Sequence, residues 1–289
     1  GLIVTVVCGL TNMVLDALFM AVFSWGLVGA AAATAVSQII GGAIPLVYFC
    51  RSGSGKLRLT KTEIDKKALF KACTNGSSEL MSNISISIVS MLYNVQLMSY
   101  AGENGIAAYG VIMYVNMIFL AVFIGYSTGV APVISYHYGA GNYPELKGLL
   151  KKSCVIIGIF AVWMFGLAVL LARPLAGIFV GYDKELMEMT IRAFKIYSFS
   201  FPFSGVAIYG SSFFTALNDG LTSALISFLR SLLFEVAAVM ILPMIFGIDG
   251  IWVSVVAAEL LAAVMTVLFL VVKRDKYATA QTMANHSAD

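Results

Sequence analysis

The chain has 289 residues, of which 60% are hydrophobic and 11% charged, with a net charge of +3. Soluble globular proteins carry about 25% charged residues, so this composition excludes an ordinary water-soluble domain. The small positive balance sits in loops and does not describe a nucleic-acid-binding surface. Apolar runs of about 20 residues recur along the chain, the length that crosses a hydrocarbon core as an α-helix. The alternating ten-residue stretches of a membrane β-barrel are not found.

These runs predict an all-α polytopic membrane protein with eight transmembrane helices, at roughly 2–24, 27–50, 73–100, 105–138, 152–172, 189–216, 221–246 and 250–272. The chain opens on Gly1 inside the first apolar run, with no basic stretch or small-residue cleavage site ahead of it. That is not the pattern of a signal peptide, and a processed or truncated start is expected.

The first helix carries one carboxylate, Asp16, among Val14, Leu15, Leu18 and Phe19. An acid in hydrocarbon costs a few kcal/mol or more and is seldom kept there without a task. Asn12 lies one turn earlier on the same face, and Thr34 is on the next helix. A carboxylate, an amide oxygen and a hydroxyl together suit Na⁺, or a proton shared in a hydrogen-bond network. The alternative is that these groups only bond neighbouring helices, or that Asp16 lies near the outer interface. The four cysteines (Cys8, Cys50, Cys73 and Cys154) have no C-x-x-C spacing and read as small apolar packing residues, with neither a disulfide framework nor a zinc site.

Residues 51–71 form the longest polar stretch, containing Ser-Gly-Ser-Gly and seven Lys or Arg. This reads as a cytoplasmic linker between two helical lobes, 1–50 and 72–273, with a cytoplasmic tail at 274–289. Further bases follow the fourth helix (Lys147, Lys151, Lys152) and the eighth (Lys273, Arg274, Lys276), while the intervening connections are poor in base except 173–188, which sets Arg173 and Lys184 against Asp183, Glu185 and Glu188. The alternation places the C-terminus in the cytoplasm and the protein in the cell membrane as a multi-pass chain.

In the third helix, Glu79 lies less than two turns from the cytoplasmic end, either as a functional acid or as a hydrated interfacial one. The fourth helix is too long for one straight span, and Gly125, Gly129 and Pro132 are positions where it could bend. The G-x-S-x-G of residues 125–129 fits the nucleophile-elbow pattern, but that chemistry needs a strand–turn–helix and acid and His partners. Here it lies in an apolar helix, so no enzyme activity is expected, and no phosphate-binding loop is present for ATP-driven transport. In the seventh helix Glu235 follows Arg230 by five residues, a spacing that predicts a structural ion pair between them. Glu259 in the eighth helix is a further buried acid. Asn83, Asn94, Gln96, Tyr126, Ser204 and Tyr209 are candidates to line a cleft that accepts flat cations.

A faint internal repeat relates GLVGAAAATAVSQ (26–38) to GIDGIWVSVVAAE (247–259), each a G-x-x-G turn opening a helix. Duplicated lobes with a site between them are common in transporters. On this reading the chain holds the last two helices of one six-helix lobe and all of a second.

Asn12 and Asp16, the 26–38 motif, G-x-x-P-x-x-S-Y-x-Y-G-A-G-N at 129–142, and the 216–220 turn followed by Arg230 together resemble the multidrug and toxic compound extrusion (MATE) transporters. The resemblance covers nearly all of residues 1–273. It implies the fifth to twelfth helices of a twelve-helix, two-lobe fold that exports cationic or amphiphilic drugs by Na⁺ or H⁺ antiport, with no cofactor beyond that ion. It implies roles in the N-lobe cavity for Asn12, Asp16 and Thr34, together with an acid in a first helix that this chain lacks. It implies a C-lobe role for Glu79, whose acidic partner position is occupied by Ser204. The partners so implied are organic cations or amphiphilic drugs, the bilayer, and the missing N-terminal helices, with no nucleic acid. The alternatives are a lipid-linked oligosaccharide flippase of related architecture, or a truncated membrane fragment that does not transport.

Overall fold

The computed structural model describes residues 2–50 and 65–274 and is helical throughout. The chain divides into two compact units, Gly1–Asp65 and Lys66–Asp289. Most of the predicted linker and the predicted tail from 275 onward lie outside the described residues, while residues 66–71 already form the first turns of a helix.

In the first unit, α1 (Leu2–Val22) and α2 (Gly26–Cys50) form a helical hairpin. The turn is built by Ser24 and Gly26, with φ of 54° and 55°, and by rings of Phe19, Phe23 and Trp25 packed 5.1 to 6.2 Å apart. The face of α2 that is buried is made of Gly29, Ala33 and Ser37. This small-residue stripe recurs every four positions and lets two backbones approach where no hydrophobic effect drives association. Cys8 Sγ donates to the Ser37 carbonyl at 3.0 Å, so that cysteine packs as a small residue. The last six residues of α1, Ala17–Val22, are wound as a π-helix.

The second unit begins with α3 (Lys66–Gly139), a run of 74 residues with one break at Gly102, where φ is 60° and ψ −149°. A straight helix of that length would extend about 110 Å, yet the rings of Tyr93 and Tyr109 stack at 5.2 Å. The helix therefore folds back on itself at Gly102, in a conformation open essentially only to glycine. This is the predicted boundary between the third and fourth helices. Beyond it the backbone stays helical through Gly125, Gly129 and Pro132.

The next helix, α4 (Tyr143–Val180), is longer than the predicted 152–172. Its start is set by Asn142, whose side chain accepts from the Glu145 N–H, and by Pro144 in the first turn. Hydropathy marks only the apolar middle of such a helix and misses its amphipathic ends. The predicted sixth span, 189–216, is in fact two helices, α5 (Lys184–Ser198) and α6 (Phe201–Ala216). Pro202 lacks an N–H and restricts the residue before it, so α5 must stop ahead of it. The junction is closed by tight bonds from Phe199 N to Ile196 O and from Ser200 N to Tyr197 O, at 3.2 and 2.9 Å. The break falls where an amphipathic helix carrying Glu188, Arg192 and Lys195 gives way to an uncharged apolar one, a change that the single predicted span ran together. The chain ends with α7 (Gly220–Phe246), π-wound over Leu229–Phe234, and α8 (Ile248–Val272).

The internal repeat has a structural counterpart. Gly26 and Gly247 both take positive φ, 55° and 59°, just where α2 and α8 begin. Three residues later, Gly29 and Gly250 are each pressed against the preceding helix: a Cβ would lie 3.0 Å from Phe19 Cβ in one and 2.3 Å from the Leu242 carbonyl oxygen in the other. In both copies the first glycine makes the turn and the second permits close packing.

Candidate functional site

Two of the places where charged side chains lie within the apolar helices adjoin a π-wound segment. A π-turn inserts one extra residue into the helical ladder and is frequent at functional positions. Asp16 is the last α-helical residue before the π-segment of α1, and Arg230 lies within that of α7, with Glu235 just after it.

Asp16 is half-buried, and its Oδ1 is buried without a hydrogen bond. Asn12 is half-buried one turn earlier. Thr34 is exposed, and its hydroxyl donates to the Ala30 carbonyl of its own helix at 3.0 Å. Among the described residues no hydrogen bond joins these three, and Asp16 Oδ1 is the one buried side-chain oxygen of the first unit left without a hydrogen bond.

Of the other predicted site residues, Glu79 and Asn83 are exposed on α3, with Asn83 Nδ2 donating to the Glu79 carbonyl at 2.8 Å. Asn94 Nδ2 donates to Ser90 O at 2.8 Å, and Gln96 Nε2 reaches Met240 Sδ on α7 at 3.5 Å. Three of the predicted cleft residues lie further inside. Tyr126 donates to Ser153 Oγ at 3.0 Å, and the ring of Tyr209 lies 6.3 Å from that of Tyr126. The Tyr209 hydroxyl is buried with no hydrogen bond of acceptable geometry. Ser204, also buried, donates to the Ser200 carbonyl at 3.0 Å.

The expected pair between Arg230 and Glu235 is not formed. Arg230 instead crosses to α8, where Nε lies 3.1 and 2.9 Å from Glu259 Oε1 and Oε2, and Nη2 lies 2.7 Å from Oε1. Both side chains are largely buried, 19% and 12% exposed. The planar guanidinium matches a carboxylate with two parallel bonds, a geometry that Glu235 five positions along the same helix does not offer. Glu235, just past the π-wound segment of the same helix, is half-buried.

Sequence reading missed a run of hydroxyls between α6 and α7. Ser211 Oγ lies 3.0 Å from both Ser223 Oγ and Ser227 Oγ, and Thr215 Oγ1 lies 2.5 Å from Ser223 Oγ. The signal was present as Ser223 and Ser227 in one register of α7 facing Ser211 and Thr215 in the matching register of α6. At the end of the unit, Lys273 Nζ bonds Asp219 Oδ2 at 2.7 Å and the Thr222 hydroxyl, and lies 6.0 Å from the centre of the Phe214 ring. Burial pushes the Asp219 carboxyl up, but hydrogen bonds from Lys273 and Thr222 outweigh it and hold it below the usual carboxylate range.

Comparison with known proteins fits this arrangement. Residues 80–241 match the MatE family model. The multidrug export protein MepA of Staphylococcus aureus (strain NCTC 8325) is 24% identical over 268 residues, which cover 92% of this chain and 58% of MepA. The chain thus spans a little over half the length of the curated relatives it matches. A crystal structure of a MATE protein in complex with MaL6 superimposes with a TM-score of 0.88 at 20% identity, covering 97% of this chain and 63% of that one. The outward-facing conformation of a MATE-family multidrug resistance transporter superimposes with a TM-score of 0.87 at the same identity, covering 97% and 62%. At this identity the superpositions establish a shared fold.

Proposed function

The chain belongs to the MatE family, and on that premise we propose that it acts in a secondary exporter that releases cationic or amphiphilic compounds in exchange for Na⁺ or H⁺. The observation that carries the reading is the buried, unpartnered Oδ1 of Asp16 beside the π-segment of an apolar helix. A carboxylate there is costly while charged and unpaired, so an entering cation or proton changes the energy of the helices around it. Alternating access follows if the ion and the drug prefer different arrangements of the two lobes. The membrane potential supplies about 2.3 kcal/mol per charge per 100 mV to such an exchange. The Lys and Arg bias of the loops supports a cytoplasmic C-terminus in a cell-membrane protein.

The flippase alternative requires interior bases to hold a polyanionic substrate. Two of the bases on which it would draw are already engaged, Arg230 by Glu259 and Arg192 by Asp249. This favours the exporter.

The test is drug resistance in cells expressing the protein with Asp16→Asn. Resistance to ethidium-like cations is expected to be lost at an unchanged level of protein in the membrane. Undiminished resistance would remove Asp16 from the mechanism. Dissipating either the Na⁺ or the proton gradient in membrane vesicles then identifies the coupling ion.

A further inference from the structure

A groove of about 370 Å³ runs along α5, lined by Glu188, Ile191, Arg192, Lys195 and Ile196. Glu188, Arg192 and Lys195 stand at i, i+4 and i+7 and are all exposed, so they make one stripe on one face of the helix. From the acid to the far base is about 10 Å along the axis. Arg192 is bonded to Asp249 in the first turn of α8. Asp249 directly follows the Gly247 turn between α7 and α8, so this part of α5 is level with that turn, at a face of the membrane. Below it charge ends: past the break at Phe199, α6 carries none.

The charges of this groove balance in number but not in place. Neither Glu188 nor Lys195 forms an ion pair or a hydrogen bond with any described residue. Glu188 has Arg192 one turn away, the usual spacing for a helical pair, but Asp249 takes that guanidinium. With Asp249 counted, two acids face two bases and the net charge is zero. The free carboxylate stands at the outer end and the free ammonium two turns deeper. Such a groove offers little net attraction to a simple anion or a simple cation, and most to a ligand that carries both charges.

The order of the groups narrows the ligand further. From the membrane face inward, α5 presents a carboxylate, then two bases, then Ile196 and the 54% exposed ring of Phe199. A phospholipid with a phosphoethanolamine headgroup presents, from water inward, an ammonium, a phosphate and acyl chains. The two sequences match group for group. Arg192 has N–H donors beyond those turned to Asp249, and Lys195 has three. A choline headgroup has no N–H to give Glu188, and a glycerol headgroup has no cation.

From this we infer that the exposed face of α5 binds a zwitterionic phospholipid with a primary-amine headgroup, its ammonium on Glu188 and its phosphate between Arg192 and Lys195. The lipid is a ligand of the fold and not the exported compound, so the inference goes beyond the exchange reading and does not depend on it.

Native mass spectrometry of the purified protein tests it. The protein is released from mixed micelles holding equal amounts of phosphatidylethanolamine, phosphatidylcholine and phosphatidylglycerol with the same acyl chains. Bound phosphatidylethanolamine should exceed each of the others by about two- to five-fold, the range of an exposed ion pair. Lys195→Gln should lower it by a similar factor, while Glu188→Gln leaves the groove with a net positive charge and should pass the preference to phosphatidylglycerol. The double exchange Glu188→Lys with Lys195→Glu keeps composition and net charge but inverts their order, and should abolish the preference. These side chains are exposed, so the variants should fold; an unchanged melting temperature checks this, and Lys195→Arg should retain the preference. No preference in the unsubstituted protein, or one that survives the double exchange, overturns the inference. Glycerophosphoethanolamine has the same headgroup without acyl chains and should not displace the lipid at matched concentration. Displacement would make a soluble dipolar compound the ligand and overturn the lipid assignment. None of these readouts involves transport, so the outcome for drug export in Asp16→Asn bears on the exchange reading alone.

Discussion

Arg230 grips Glu259 across two helices through both its Nε and its Nη2, at 2.7 to 3.1 Å. The pair joins the π-wound part of α7 to the middle of α8, and it is the one place in the Lys66–Asp289 unit where two apolar helices are tied by full charges within the span, among the described residues. Removing one partner leaves the other buried and unpaired, which is the expensive case, while removing both leaves only a volume change. Arg230→Met and Glu259→Leu are each expected to cost about 3–5 kcal/mol. The double variant should recover most of that loss. Unfolding of the single and double variants in detergent, read as a double-mutant cycle, checks this. Additive losses would mean that the pair is not coupled.

The two G-x-x-G turns predict a graded response to a single methyl group. At Gly29 an added Cβ meets Phe19 Cβ at 3.0 Å and the Phe19 carbonyl at 3.1 Å, an overlap of a few tenths of an ångström. At Gly250 it meets the Leu242 carbonyl oxygen and carbon at 2.3 and 2.5 Å and Pro243 Cα at 2.8 Å. That is backbone, which does not rotate away. Gly29→Ala should therefore fall at the low end of about 1–3 kcal/mol, the usual cost of overpacking, and Gly250→Ala at or above its top. Comparing their melting temperatures in detergent decides the ranking, and equal shifts would contradict it.

At the end of the second unit, the Lys273–Asp219 pair predicts a pH dependence with a definite sign. The folded state holds the Asp219 carboxyl below its usual range. A group whose pKa is lowered by folding contributes stability above its unfolded pKa, about 3.9, and loses it as pH falls through the folded value. Asp219→Asn keeps a side-chain oxygen to cap the Thr222 N–H but removes the charge. The difference in melting temperature between the protein and this variant should be small and constant near neutrality, and should close below about pH 4. A gap that widens in acid would show that the sign is wrong.

Much of this was legible in the sequence because hydrocarbon permits few solutions. Apolar length located the helices, and glycines with punctuation on both sides located the turns at Gly26, Gly102 and Gly247. What escaped was decided by tertiary geometry. The break at Phe199 and Ser200 is marked by Pro202 and by the end of the charged residues at Lys195, but the aromatic and aliphatic residues on both sides joined the two helices into one predicted span. Arg230 had two acids to choose from, and spacing along one helix suggested Glu235. The fork geometry of the guanidinium chose Glu259, 29 positions away. Asp16, Asn12 and Thr34 were grouped by residue type, whereas Thr34 directs its hydroxyl to its own helix. Chemical type finds the ionisable residues of a membrane site, but it does not say which of them face one another.

The hydroxyl run between α6 and α7 carries the last prediction. Ser223 is its hub: fully buried, it donates to the Ser211 carbonyl at 2.9 Å and lies within bonding distance of Ser211 Oγ and Thr215 Oγ1. Three contacts at one side chain suggest a large penalty for Ser223→Ala, yet each partner holds a second bond. Ser211 Oγ also meets Ser227 Oγ at 3.0 Å, and Thr215 Oγ1 also donates to the Ser211 carbonyl at 3.0 Å. No polar group is therefore stranded, and the desolvation penalty of an orphaned donor does not apply. Hydrogen bonds between membrane helices average about 0.6 kcal/mol, so Ser223→Ala should cost roughly 1 kcal/mol. Ser223→Val keeps the polar loss, puts one methyl where the hydroxyl stood and adds a second to a fully buried site, for a total of about 2–4 kcal/mol. Unfolding in mixed micelles would separate the two. If Ser223→Ala costs as much as Ser223→Val, the hydroxyl run acts as a single cooperative network, and the redundancy argued from its bonds is wrong.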